Sequence, residues 1–179
     1  MADQVGVLFT QRSRNDRPPP GVMLDLGAHV VDLLCWWFGG EPAVVDCKTD
    51  SLGGPEARAT LELDFAGMRA DVELSYYQKM SNVYCIRFEH GCITGGCWEE
   101  HRYTVQHGSA RPKAVKLASR GMTCKERATE MIAEFVGAIA GGNQPFVSGR
   151  DVLPSIQAIS EGYRCARSYD EPWLPRFGK

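Results

Sequence analysis

The chain has 179 residues, 44% hydrophobic and 23% charged, with 20 basic against 22 acidic side chains for a formal charge of -2. These values describe an average soluble globular protein with one sizeable core, and they exclude disordered, collagen-like and membrane-spanning classes. A near-neutral chain has no field to gather a phosphate backbone or an anionic bilayer, so neither nucleic acid nor a membrane is an expected partner.

Residues Val5 to Gln11 carry β-branched and aromatic side chains and predict a first strand, followed by a polar, proline-rich loop from Arg12 to Pro20. From Val22 to Phe38 apolar residues recur at helical spacing until Gly39-Gly40 and Pro42 stop the helix. The segment is about as long as a short membrane span, but Asp25, His29 and Asp32 would each cost several kcal/mol in lipid, which places it in a soluble core. Ala43 to Thr49 predicts a second strand. Two alternating runs follow, Ala57 to Phe65 and Met68 to Tyr76 around Ala66-Gly67, the pattern of an antiparallel hairpin with one wet face. A second hairpin is expected to turn at Gly95-Gly96, setting His90 opposite His101 and Phe88 opposite Tyr103.

Thr123-x-x-Glu126 reads as a capping box opening a helix whose apolar face is Ala128, Met131, Ile132, Phe135, Val136 and Ile139, stopped by Gly141-Gly142. Ser148-x-x-Asp151 opens another, with Val152, Ile156, Ile159 and Tyr163 inward. The order of elements predicts an α+β fold over residues 1–179, one domain built on an open, mostly antiparallel sheet with helices packed on one face. Seven cysteines include no C-x-x-C pair, and no signal peptide precedes them, which predicts mostly buried thiols in a reducing cytoplasm. His90, Cys92, Cys97 and His101 are metal-ligand types, but alternation sends some of them to opposite faces, so cross-strand packing is the expected reading and no metal is expected. No G-x-S-x-G word or serine-histidine-acid order points to a hydrolase.

The first helix carries the most informative pattern. At about 100° per residue, Leu26, Val30, Leu33 and Trp37 gather on one side and Gly27, Ala28, Val31, Cys35 and Phe38 on the opposite side, so the helix is expected to be buried on both. Asp25, His29, Asp32 and Trp36 form a third stripe in which two carboxylates flank one imidazole. Charge buried without a partner costs several kcal/mol, so the stripe is either a self-satisfied structural feature or open to a wet cavity. A carboxylate four residues before a histidine can orient the ring and leave its other nitrogen as a general base or acid near neutral pH. Asp25 and His29 are therefore the candidate catalytic residues. Asp32 and Trp36 are candidate substrate contacts, joined from the sheet by Tyr84, His90, His101 and Tyr103.

The run Gly21 to Leu33, GVMLDLGAHVVDL, resembles the G-G-x-L-x-D-x-G-x-H-x-x-D-L stretch of the glucose-fructose oxidoreductase and inositol dehydrogenase relatives (Gfo/Idh/MocA). Phe135 to Gly141, Pro145 to Asp151 and Tyr163 to Ala166 are similar to that family's last two helices. The resemblance covers the family's C-terminal domain only. It implies an α+β domain that supplies much of the substrate pocket and the oligomer interface, beside a Rossmann domain that binds NAD or NADP. It matches Asp25 to the family's aspartate, His29 to its catalytic histidine and Asp32 to an acidic position further along. The family's lysine, from an E-K-P word in the Rossmann domain, has no counterpart, and Pro18-Pro19-Pro20 replace the glycines usual before the motif. No G-x-G-x-x-G stands between a strand and a helix, so no cofactor is expected on this chain.

With Met1 close to where the family's second domain begins, the chain is expected to be a complete small protein. The leading expectation is a stand-alone, cofactor-independent cyclase, isomerase or lyase acting on an oxygenated or polyketide-like small molecule between the sheet and the first helix. The alternatives are the substrate-binding half of an NAD(P)-dependent oxidoreductase whose Rossmann domain is on another chain, and a non-catalytic dimeric binding module. An apolar sheet face left uncovered would aggregate, so a homodimer through that face is expected.

Overall fold

The computed structural model describes residues 2–10, 20–99, 101–118 and 121–170. The expected loop from Arg12 lies outside them, apart from Pro20. Nine strands form one sheet in the order β8-β7-β6-β5-β1-β4-β3-β2-β9. The strands are β1 (Ala2–Thr10), β2 (Ala43–Thr49), β3 (Arg58–Phe65), β4 (Met68–Ser75), β5 (Val83–Phe88), β6 (Gly91–Gly96), β7 (Arg102–His107), β8 (Lys113–Lys116) and β9 (Arg167–Ser168). Helices α1 (Ala28–Phe38), α2 (Cys124–Gly141) and α3 (Leu153–Cys165) complete the α+β fold. Strands β8 and β9 carry no sequence signal beyond short polar runs.

Alternation sets the two faces. Ala59, Leu61, Leu63 and Phe65 of β3 pair across to Leu74, Val72, Ala70 and Met68 of β4, and all eight are buried. The turn between them holds Ala66 at φ 52 and Gly67 at φ 97, the left-handed pair that suits a two-residue hairpin. Met23, Leu26, Val31 and Leu34 from the first helix and Ala158 and Ile159 from α3 close the core over this face. The opposite face is open but polar, with Arg58 paired to Glu73 at 2.9 Å and Gln4 donating to Asp71 at 2.5 Å. Over β3 and β4 this open face is not the apolar one expected, because each inward apolar residue there alternates with a charged or hydroxyl side chain.

Three expectations are corrected. The first helix starts in the wide π form over Met23–Gly27 before α1, and it buries one face, Met23, Leu26, Gly27, Val30, Val31 and Leu34, rather than two. Leu33, placed inside by an ideal helical wheel, is exposed. The second hairpin turns at Glu89-His90, not at Gly95-Gly96, and makes three strands of what was read as two. Gly95 sits inside β6 because the Tyr84 ring lies across it, where any side chain would collide, and Gly91 is needed where the Gln106 carbonyl crosses. Consequently Tyr103 pairs with Gly95, and His90 is not opposite His101. Finally, α3 buries Ser155, Ala158, Ile159 and Gly162 and leaves Ile156 outside, since Gly162 lets the helix press against Leu61 and Met23.

Candidate functional site

The N-terminal turn of the first helix has unsatisfied N–H groups and begins at Val22, which offers no side-chain cap. Glu56 does this work from a distant loop. Its backbone carbonyl accepts from the Val22 N–H at 2.9 Å, and its carboxylate accepts from the Met23 N–H at 2.9 Å and from the Tyr163 hydroxyl at 2.9 Å. Glu56 is only 4% exposed. The carboxylate lies against Gly21, where a Cβ would overlap it, so the glycine before the motif makes room for the cap.

One turn on, the Asp25 carboxylate accepts from the Tyr76 hydroxyl at 2.8 Å, and Tyr76 also reaches the Pro20 carbonyl at 3.1 Å. Burial, then the hydrogen bonds to Asp25 and Glu56, raises Tyr76 and Tyr163 well above the ordinary phenol range. Both tyrosines therefore stay protonated donors, each holding a carboxylate. Asp32 accepts from the Ser155 hydroxyl at 3.3 Å on α3. The two aspartates are thus partnered by hydroxyls, and His29 has no hydrogen-bond partner among the described residues. The π widening explains the difference: it winds fewer degrees per residue, so Asp25 and His29 do not stack as in a regular helix.

His29 is exposed and opens onto a cleft of about 850 Å³ between α1 and the segment entering α3, with Asp32, Trp36, Phe146, Arg150 and Pro154 among its walls. Trp36 is 77% exposed at its rim. The cleft therefore lies beside α3, not between the sheet and the first helix. Tyr84 and Tyr103 instead line a second groove of about 540 Å³ at the far end of α1. His90 is exposed in the β5–β6 turn, and His101 lies at the start of β7 with its Nδ1 buried and unpartnered among the described residues. The eight predicted site residues thus divide: Asp25, His29, Asp32 and Trp36 share one helix, Tyr84 and Tyr103 share a groove, and the two sheet histidines join neither.

Residues 7–94 match the signature of the GFO/IDH/MocA C-terminal domain, and this span contains the Asp25, His29 and Asp32 word. The chain carries a GFO/IDH/MocA C-terminal domain. No curated protein matches the sequence. Its fold is similar to a 3-ketoreductase from Actinomadura kijaniata solved with TDP-benzene and NADP, at 14% identity and TM-score 0.78, covering 93% of this chain and 53% of that one. It is also similar to UDP-N-acetylglucosamine 3-dehydrogenase from Acidithiobacillus ferrooxidans (18% identity, TM-score 0.73, 92% and 53% covered). Aldose-aldose oxidoreductase from Caulobacter crescentus, solved with glycerol, gives the same figures, 18%, 0.73, 92% and 53%. The chain spans about half the length of these structures.

A nicotinamide dinucleotide does not fit the GFO/IDH/MocA domain's own described residues. No glycine-rich turn joins a strand to a helix there. Nor do three histidine, cysteine or acidic side chains meet as a metal would require among the described residues. No helix among the described residues is long and apolar enough to cross a membrane. The residues that hold the site together, Glu56, Tyr76 and Tyr163, carried no local signal, because each acts across the fold.

Proposed function

We propose that this chain is the substrate-side half of a nicotinamide-dependent oxidoreductase acting on a hydroxylated small molecule, completed by a dinucleotide-binding half that this sequence does not contain. The observation that carries the reading is the surface around the His29 cleft. Met131, Ile132, Phe135, Val136 and Ile139 of α2 are 53 to 67% exposed, and Phe146 at the cleft itself is 86% exposed. An apolar helix face of this kind signals a missing protein surface, and here its helix is tied to the wall of the candidate site, where the Glu134 carboxylate accepts from the Phe146 N–H at 2.7 Å. The named oxidoreductases, of which the chain matches about half, support the same reading.

In that arrangement His29 presents its imidazole to a substrate hydroxyl or carbonyl oxygen and takes or returns its proton. Asp25 is held by Tyr76 outside the cleft lining, while Asp32, Trp36 and Arg150 line the approach. A cofactor-independent cyclase, isomerase or lyase has less behind it, because it needs a water-excluding pocket closed around His29 and that histidine is exposed. The sheet's open face supports a homodimer. Its β2–β4 half holds Asp46, Glu62, Asp64, Asp71 and Glu73 against Lys48, Arg58 and Arg69, whereas its β5–β8 half holds Arg87, Arg102 and Lys116, so two copies crossed on a twofold axis set opposite net charges together.

Calorimetric titration of the chain with NADH and NADPH tests the proposal. No saturable binding to the chain alone is expected, with oxidation of polyols appearing once the dinucleotide-binding half is supplied. In that assembly His29→Ala is expected to lose about 10²-fold or more in kcat. Turnover by the isolated chain without nicotinamide would overturn the reading in favour of the cofactor-independent enzyme.

A further inference from the structure

The groove at the C-terminal end of α1 shares no lining residue with the His29 cleft. Trp37 and Phe38 form one bank, and Tyr84, Phe88, Ile93 and Tyr103 of β5, β6 and β7 form the floor and the other bank. Trp37 meets Tyr84 edge to face at 5.1 Å between ring centres. Gly95 shapes the floor: it pairs with Tyr84 on one side and Tyr103 on the other, and its missing side chain leaves the two phenols facing one space.

Three observations define what fits there. The lining residues include no charged side chain, which disfavours a phosphate or a carboxylate that would have to shed water without a counter-charge. Aromatic rings and isoleucine supply flat apolar area in a groove of ligand size, about 540 Å³. The Tyr84 and Tyr103 hydroxyls and the Trp37 indole N–H have no protein hydrogen-bond partner among the described residues, so a donor–acceptor edge is available beside the rings. We propose that this groove is a binding site for a neutral aromatic molecule or moiety of one or two rings, packed on Trp37 and Tyr84 and hydrogen-bonded by the two phenols. The site stands independently of how the His29 cleft is used.

The test is a titration of the full chain with 2-naphthol followed by proton–nitrogen correlation NMR. Saturable shifts are expected at the Trp37 indole N–H and the Gly95 amide, with 2-naphthoate binding at least about tenfold more weakly. Tyr103→Leu is expected to weaken 2-naphthol about tenfold and the milder Tyr103→Phe about threefold, whereas Glu130→Gln on exposed α2 leaves the Kd unchanged. Shifts confined to α2, shifts that do not saturate, or equal affinity for 2-naphthoate would overturn the proposal.

Discussion

Glu56 is the residue whose removal should cost most for its size. It is one buried carboxylate serving a helix N-terminus and a tyrosine on another helix, and truncation would strand both donors. Glu56→Ala is expected to lower unfolding free energy by about 3 kcal/mol in urea titration, and Tyr163→Phe by about 1 kcal/mol, the pair being less than additive. The thiols give a second residue-scale prediction. Burial pushes Cys47 up to about 12 and Cys35 and Cys97 up to about 11. At pH 8 that leaves roughly one thiolate in 10³ or fewer, so iodoacetamide should modify exposed Cys124 and Cys165 first, read by peptide mass spectrometry. At this scale the sequence disclosed which side chains carry chemistry but not what holds them. Asp25 and His29 stand in one readable word, whereas Asp25 meets Tyr76 across 51 positions and Glu56 meets Tyr163 across 107. No local pattern encodes such distances.

Among the elements, α2 is well built internally. Thr123 and Glu126 form a reciprocal capping box, and Gly142 closes the other end in the left-handed conformation. Thr123→Ala should therefore cost about 1 kcal/mol of local helix stability, visible as faster amide exchange in the first turn. Phe135→Glu with Ile139→Glu should leave thermal stability nearly unchanged, because both side chains already face solvent, yet reduce association with the dinucleotide-binding half, measured by calorimetry. Periodicity located this helix and the hairpin of β3 and β4 without difficulty. It failed where a glycine has two meanings: Gly95 was legible as a turn residue, but it serves as the clearance beneath a tyrosine from the neighbouring strand. Periodicity also predicted an apolar face on α2 without telling that this chain leaves it bare.

For the whole molecule, buried acids set the alkaline limit. Cys47 at about 12, Cys35 and Cys97 at about 11 and Tyr169 at about 12 all hold protons more tightly than their ordinary values of 9.0 and 10.0. Their contribution is intact below about pH 9 and is lost as pH climbs through 11 to 12, so guanidinium midpoints should be level from pH 7 to 8.5 and fall by pH 10.5. The proposed dimer should likewise dissociate as salt rises, by light scattering. The central pairing has a further consequence. Strand β1 runs parallel to β4 and antiparallel to β5, filling the place between two strands that follow each other in the chain. It is made first, yet its slot exists only after Phe88 has been synthesised, so the nascent chain must keep β4 and β5 from zipping into a hairpin of their own. The earliest strand is thus the last keystone of the sheet, and a second molecule's β1 can compete for the same gap by strand exchange while it stands open.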